Sequence, residues 1–154
     1  MSTLKKSGRR QIERRYIAEA VPRFWKHRRR VYLNKRIGKP PEELTKLYPN
    51  AKITAFSRWQ VYPDAIVVTD RSLVIVEAKI YKPIDALGAL CYYAEVVYDT
   101  PDLQRYKGLP VEKVLICPMP SPELVKAAGR MGVQVIGWMP DWVADYLRSV
   151  GWLV

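Results

Sequence analysis

Two short apolar runs separated by a polar segment form the most regular pattern in the chain. The runs are AIVV at 65–68 and LVIV at 73–76, and the segment between them is TDRS. Apolar runs of this length on either side of turn-forming residues predict a β-hairpin. Because the runs are apolar at every position, we expect the hairpin to be buried on both faces.

Charged residues interrupt the hairpin near its open end, at Asp64, Glu77 and Lys79. If Asp70 and Arg71 form a two-residue turn, opposed residues have numbers that sum to about 141, so Asp64 faces Glu77. Their Cβ atoms are then expected to lie about 4.5–5.5 Å apart. Lys79 follows Glu77 by two positions and therefore lies on the same face of the strand.

Two facing carboxylates in an apolar setting repel each other unless a positive charge lies between them. A divalent cation such as Mg²⁺ meets this need, since it takes oxygen ligands and often uses one or two carboxylates. The alternative is a structural salt-bridge cluster in which Lys79 neutralises Asp64 and Glu77. The apolar surroundings favour the cation.

The rest of the chain alternates helices and strands. The predicted elements are a helix at 9–25, strands at 53–62, 65–68 and 73–76, a helix at 84–98, a strand at 111–117, a helix from 122, a strand at 133–138 and a helix from 141. A short helix that opens within PPEE at 40–43 and reaches Leu47 is expected as an insertion. This order, α-β-β-β-α-β-α-β-α, predicts an α/β fold with a mixed central sheet flanked by helices. At 154 residues the chain is expected to form a single domain, 1–154, with a basic arm at 1–10.

Glu13 falls in the middle of the apolar face of the first predicted helix. At about 100° per residue from Ile12, the apolar positions span an arc of about 180°, with Glu13 near 100° and Glu19 outside the arc. A buried acid needs a partner. The same cation is one candidate, and an ion pair with a nearby arginine is the alternative.

Positive charge is concentrated in the first third of the chain. The net charge is +11; residues 1–50 contain 15 Lys/Arg and 4 Asp/Glu, whereas the rest contains 11 of each. A concentrated basic segment is typical of polyanion binding, so we expect DNA as the partner; a solvated tail and an anionic membrane surface are the alternatives. The expected phosphate-binding residues are Lys5, Lys6, Arg9, Arg10, Arg28, Arg29, Arg30 and Lys82.

Several kinds of site and location are excluded by composition. Cys91, Cys117 and His27 are too few for a four-ligand zinc site or a four-cysteine cluster. A cysteine–histidine nucleophile pair has no evident orienting acid. No apolar run approaches a membrane span of about 18 residues, and the amino terminus lacks the apolar core of a signal peptide. We expect a cytoplasmic protein, of cellular or phage origin, with no membrane partner.

The spacing of Pro63-Asp64, twelve residues and then Glu77-Ala78-Lys79 resembles the signature of the PD-(D/E)xK nuclease superfamily. The element order is similar to the core of that superfamily. The resemblance implies a restriction-endonuclease-like fold and a magnesium-dependent DNA endonuclease in which Mn²⁺ substitutes for Mg²⁺. It also implies that Asp64, Glu77 and the Ala78 carbonyl hold the metal, while Lys79 either positions the metal-bound water or stabilises the developing negative charge.

Glu13 resembles the glutamate that many members of the superfamily place on the first helix beside the metal, and this implies a catalytic role. The run GRRQIER at 8–14 is similar to the start of archaeal Holliday-junction resolvases. RecB-like nucleases carry a Gln-x-x-x-Tyr motif, of which Tyr93 matches the tyrosine and Ala89 occupies the glutamine position. The alternatives are therefore a resolvase, which requires a homodimer, and a catalytically idle DNA-binding subunit of a phage or mobile-element assembly.

Overall fold

The computed structural model describes residues 2–51 and 59–153, and these residues form a five-stranded mixed sheet with helices on both faces. The helices and strands in chain order are α1 (Ser2–Phe24), β1 (Arg30–Leu33), α2 (Glu42–Leu47), β2 (Ala65–Val68), β3 (Leu73–Ala78), α3 (Asp85–Val96), β4 (Val111–Cys117), α4 (Pro122–Arg130), β5 (Val133–Gly137) and α5 (Asp141–Ser149). Two 3₁₀ segments, Val97–Asp99 and Pro101–Tyr106, follow α3. The strands lie side by side in chain order, from β1 to β5.

The hairpin of β2 and β3 confirms the predicted register. Ala65 pairs with Val76 in an antiparallel ladder, so the numbers of opposed residues have the expected sum. Thr69 closes the turn, because its main-chain N–H donates to the Ser72 carbonyl at 2.9 Å and its hydroxyl accepts from the Ser72 N–H at 3.1 Å. Every residue of the two strands is buried, as continuous apolar runs predict.

The two strands after the hairpin extend the sheet in parallel, β4 along β3 and β5 along β4. Between them, the Ser121 hydroxyl caps α4 by accepting from the Leu124 N–H at 3.1 Å. Gly132 follows α4 with a φ of +67°, a conformation that favours glycine and ends the helix. The predicted strand, helix and strand are confirmed here.

Apolar layers on the two faces of the sheet fix the position of α1. Val67 belongs to the layer that joins the sheet to α1 and α5, and its neighbour Ile66 belongs to the layer that includes α3 and α4. In the first layer, the fully buried Tyr16 of α1 stacks on Trp138 with 5.1 Å between ring centroids. Such a pair contributes about 0.5–1.5 kcal/mol beyond burial. Because Glu13 lies one turn before Tyr16, this anchor holds it over the open end of the hairpin.

The first strand differs from the prediction. The edge strand β1 pairs antiparallel with β2, although no strand was predicted at residues 30–33, where the apolar run is only three residues long. The strand expected at 53–62 falls largely on residues 52–58, which lie outside the described residues, and Val61 makes only an isolated bridge with Ile37. An edge strand is half solvated and here begins and ends with exposed residues, so it lacks the apolar run that marks a central strand.

The first helix is longer than predicted. It begins at Ser2, so the part of the expected basic arm that the structure describes is the start of α1. It ends at Phe24, two residues after Pro22, as expected of a proline that removes a helical hydrogen bond. Within 2–51 and 59–153, no helix has both the length and the apolarity that crossing a membrane requires.

Candidate active site

The carboxylates of Asp64 and Glu77 lie side by side at the open end of the hairpin. The main-chain N–H of Asp64 donates to Oε1 of Glu77 at 3.0 Å, and Oδ2 of Asp64 accepts from the Ala78 N–H at 2.9 Å. Each carboxylate is thus held by the backbone of the opposite strand. Glu77 is only 5% exposed and Asp64 is partly buried. The predicted juxtaposition of these two residues is confirmed.

Lys79, directly after β3, lines the same cleft as the two carboxylates. Its main-chain N–H donates to the Ile116 carbonyl at 2.8 Å, which continues the pairing of β3 with β4 and fixes the backbone. In the described part of the chain, Lys79 forms no ion pair with Asp64 or Glu77. The salt-bridge cluster of Lys79 with Asp64 and Glu77, which was the alternative to a bound cation, is therefore not formed.

Glu13 reaches the same place from α1. Its Oε2 accepts from the main-chain N–H of Ile80 at 3.2 Å, and the residue is half-buried. Glu19, by contrast, is exposed and pairs with Arg15 at 3.3 Å. The helical phase predicted from the apolar residues is confirmed, and it brings a third carboxylate to the open end of the hairpin.

These charged residues face a cleft with a volume of about 740 Å³. Clefts of this size are typical of small-molecule and substrate sites. The wall combines one face of α1, the end of β1, the open end of the hairpin and one residue of α3. The lining residues are Arg10, Glu13, Arg14, Ile17, Ala18, Leu33, Asn34, Tyr62, Asp64, Glu77, Ala78, Lys79 and Tyr93.

Burial raises the pKa of all three carboxyl groups. For Glu77, burial and then the charge of Asp64 raise the pKa to about 8. For Asp64, burial raises the pKa against the opposing effects of the Ala78 N–H and Lys79. For Glu13, burial again raises the pKa, with Lys79 opposing it. A cation among these groups would favour their charged forms.

The donor set fits a hard divalent cation. Asp64 and Glu77 supply carboxylate oxygens from adjacent strands, and Ala78, which has a main-chain carbonyl, lines the same cleft. Mg²⁺ commonly takes one or two carboxylates and completes its shell with water and phosphate oxygens. Across the described ranges, no group of three or more His, Cys, Asp and Glu side chains is arranged to hold a metal. The candidate metal site therefore depends on two carboxylates and a main-chain oxygen.

Two arginines of α1 line the cleft beside the carboxylates. Arg10 was predicted to bind phosphate, and Arg14 was not. Arg9 lies instead over the ring of Tyr81, with 4.6 Å between its guanidinium carbon and the ring centroid. Lys82 is exposed just beyond β3. For two predicted lysines of α1 the side chains lie outside the described residues: Lys5 and Lys6.

The remaining predicted phosphate-binding residues, 28–30, lie at the turn end of the hairpin. The main-chain N–H of Arg29 donates to the Val68 carbonyl at 2.8 Å, and its guanidinium pairs with Asp70. Arg30 pairs with Val68, which is four residues from Asp64, or about 13 Å in an extended strand. The basic residues predicted as one surface thus occupy opposite ends of the hairpin.

Three uncharged polar side chains in the cleft lining were not predicted as site residues: Asn34, Tyr62 and Tyr93. Asn34 has a φ of 49°, and its main-chain N–H donates to the Asp64 carbonyl at 3.0 Å. Tyr62 and Tyr93 line the wall. Burial, and then the charges of Glu77 and Asp64, raise the pKa of Tyr93. The match of Tyr93 to the Gln-x-x-x-Tyr motif was the only sequence signal for any of the three.

Comparison with known proteins does not identify a family. No protein-family model matches the chain, and no curated protein matches it. Among solved structures it is similar to protein VC1899 from Vibrio cholerae, with 16% sequence identity and a TM-score of 0.48 over 86% of this chain. The chain spans 30% of the length of that protein. A likeness of this degree carries no argument about function, so function is argued from the geometry of the site.

Proposed function

We propose that this chain is a magnesium-dependent DNA endonuclease with a restriction-endonuclease-like core, and that Mn²⁺ can replace Mg²⁺. The observation that carries the proposal is the crossed pair of backbone hydrogen bonds between Asp64 and the 77–78 segment. These bonds hold two buried carboxylates together although burial and mutual repulsion disfavour their charged forms. A bound cation is the natural means of keeping both carboxylates charged at neutral pH.

The residues around the carboxylates have distinct roles in phosphodiester hydrolysis. Asp64, Glu77 and the Ala78 carbonyl would hold a divalent ion, and that ion would supply Lewis-acid polarisation of a phosphate oxygen. Lys79, whose ammonium is not engaged in an ion pair with these carboxylates, stabilises negative charge that develops on the phosphate. Glu13 bonds the Ile80 N–H through one oxygen, and its second oxygen can orient the attacking water.

Arg10 and Arg14 hold the DNA backbone at the mouth of the cleft. Both are exposed residues of α1 and both line the cleft wall beside Glu13. Their guanidinium groups are suited to phosphate oxygens, which carry no sequence information. We therefore expect binding that weakens with salt and depends little on base sequence.

The test is incubation of the protein with linear, nicked, branched and single-stranded DNA, with Mg²⁺ and with chelator. Cleavage that requires Mg²⁺, is lost in Glu77→Gln and persists in Glu112→Gln is the expected result. Glu112 is an exposed glutamate near the start of β4, away from the cleft lining, so its change is a matched control. Absence of cleavage by the wild type, or equal cleavage by Glu77→Gln, would overturn the proposal.

The same assay separates the two other nuclease-fold functions. Tight DNA binding without cleavage in Mg²⁺ or Mn²⁺ would identify an idle DNA-binding subunit. Preferential cutting of four-way junctions by a homodimer would identify a junction resolvase. Analytical ultracentrifugation of the protein, alone and with each DNA, measures the oligomeric state that this distinction requires.

A further inference from the structure

A second cleft, with a volume of about 650 Å³, lies at the turn end of the hairpin, and we call it the arginine cleft. Its wall includes Arg29 and Arg30 at the start of β1, Thr69 and Asp70 of the turn, and Arg105 of the second 3₁₀ segment. All three arginines are exposed. Among the residues that the structure describes, none lines both the arginine cleft and the active-site cleft, so the two are separate features of the surface.

The positive charge of the arginine cleft is only partly balanced. Asp70 is the single acid among the described residues that line it, and it pairs with Arg29. Asp102 lies three residues before Arg105 but pairs with Lys35. Three guanidinium groups around one carboxylate favour an anion, and the guanidinium fork matches two oxygens of a phosphate.

Tyrosine side chains orient the two remaining guanidinium groups. Nη2 of Arg105 donates to the hydroxyl of Tyr32 at 3.0 Å, and its guanidinium carbon lies 4.9 Å from the ring centroid of Tyr106. The guanidinium carbon of Arg30 lies 4.9 Å from the ring centroid of Tyr32. Contacts with neutral rings and hydroxyls orient a guanidinium without cancelling its charge. Arg30 and Arg105 therefore keep their charge for an external anion.

The edge strand β1 connects the arginine cleft to the active site. Arg30 begins β1 in one cleft, and Asn34, directly after its last residue, lines the other. Arg30 lies opposite Val68, which is four residues from Asp64, or about 13 Å in an extended strand. This is close to four base pairs of duplex DNA, at about 3.4 Å per base pair. A duplex that runs along β1 can therefore reach both clefts.

We infer that the arginine cleft is a phosphate subsite that holds the DNA backbone about four base pairs from the bond in the active site. The inference rests on the proposed function for the identity of the substrate. A phosphate contact at this distance fixes the direction in which DNA crosses the active site without reading its sequence. The phosphates of a free nucleotide have the same chemistry, and the experiment therefore includes both sources.

The test is the salt dependence of DNA binding, measured by fluorescence anisotropy in chelator so that cleavage does not interfere. The probe is a labelled duplex long enough to span both clefts. In Arg30→Gln/Arg105→Gln, the slope of log affinity against log salt falls by about 0.9 for each lost contact, or about 1.8 in total. Arg30→Lys/Arg105→Lys keeps the charge and most of the slope. Arg130→Gln/Arg148→Gln, on the exposed surfaces of α4 and α5, removes equal charge and leaves the slope unchanged.

A steric variant tests the same cleft without changing its charge. A Cβ atom added at Gly108, in the wall of the arginine cleft, meets no heavy atom of the described residues within 4 Å, so the backbone at this position has room for a side chain and Gly108→Phe is expected to fold. Gly129 of α4 is equally open and lies away from both clefts, which makes Gly129→Phe the matched control. Gly108→Phe weakens duplex binding severalfold, whereas Gly129→Phe does not, and thermal unfolding verifies that both variants fold.

The outcomes separate this inference from the nuclease proposal. An unchanged salt slope in Arg30→Gln/Arg105→Gln overturns the inference, whether or not the wild type cleaves DNA. Binding of a mononucleotide that this variant loses, with full duplex affinity retained, also overturns it and assigns the cleft to a free nucleotide. The expected loss of slope in a protein that cuts no DNA supports the inference and refutes the nuclease function.

Discussion

Asp64 and Glu77 are joined through the main chain of the opposite strand and not through an intervening cationic side chain. The N–H of Asp64 donates to Glu77 at 3.0 Å, and the Asp64 carboxylate accepts from the residue after Glu77 at 2.9 Å. The two bonds fix the carboxylates at a separation where their charges repel, and burial strengthens the repulsion. The stability of this part of the protein is therefore expected to depend on pH and on divalent metal.

Glu77→Gln is expected to raise the free energy of unfolding of the metal-free protein, and the gain is expected to grow with pH. Burial and then Asp64 raise the pKa of Glu77 from 4.5 to about 8. Its contribution to stability is thus complete below about pH 4.5 and is lost as the pH rises through about 8. Glutamine does not titrate, so urea unfolding in chelator should show an advantage on the order of a few kcal/mol at high pH.

Added Mg²⁺ should make the wild type more stable than Glu77→Gln, which is the reverse of the order expected in chelator. The ion raises the melting temperature of the wild type by binding only the folded state, and it has little effect on Glu77→Gln or Asp64→Asn. The exposed Glu112→Gln variant should respond to Mg²⁺ as the wild type does. A wild type whose stability and calorimetric titration show no response to Mg²⁺ or Mn²⁺, with or without DNA, contradicts the metal site.

Lys79→Ala should separate metal binding from catalysis. Lys79 forms no ion pair with the carboxylates in the described structure, so its loss should not lower the melting temperature appreciably. Mg²⁺ should bind at least as tightly without the competing charge, whereas the cleavage rate should fall by about 10²–10³-fold. Lys126→Ala, on the exposed surface of α4, is the control. A destabilised Lys79→Ala protein with normal cleavage would indicate a structural lysine.

The parts of the site that the sequence predicted are those that depend on local geometry. A two-residue turn fixes which residues oppose each other, so the facing of Asp64 and Glu77 followed from the turn alone. The apolar face of α1 likewise predicted that Glu13 points toward the sheet, because the helical period places Glu13 on the same face as Tyr16 and Ile17. Neither inference required knowledge of distant contacts.

The parts that the sequence did not predict depend on contacts between distant segments. The edge strand β1 has an apolar run of only three residues, 31–33, and its pairing with β2 is what defines it as a strand. That pairing places Arg29 and Arg30 at the turn, far from the carboxylates of Asp64 and Glu77. Arg10, which was predicted to belong to the same basic surface, lies beside those carboxylates instead. Tyr93 reaches the cleft through the packing of α3 on the sheet, for which a single sequence carries no periodic signal.

Replacing Gly38 or Gly88 with alanine should change the stability of the protein in opposite directions. Gly38 has a φ of +89°, and an added Cβ would lie 2.6 Å from the Trp59 carbonyl oxygen. Gly38→Ala should therefore cost about 1–3 kcal/mol of stability. Gly88 lies within α3 with open space around it, so Gly88→Ala should stabilise the protein by about 0.5–1 kcal/mol. Urea unfolding measures both, and a neutral Gly38→Ala would contradict the backbone geometry that precedes the hairpin.

Glu13→Gln and Glu19→Gln form a matched pair on one helix, since each removes one negative charge from α1. Glu13 accepts from the Ile80 N–H at 3.2 Å beside the two carboxylates, whereas Glu19 is exposed and paired with Arg15. Glu13→Gln should therefore lower single-turnover cleavage by about 10²-fold with little change in DNA affinity, and Glu19→Gln should leave both nearly unchanged. A larger effect from Glu19 would mean that the helix presents its other face to the substrate. Equal and negligible effects would reduce Glu13 to a structural acceptor for Ile80, with catalysis depending on Asp64, Glu77 and Lys79 alone.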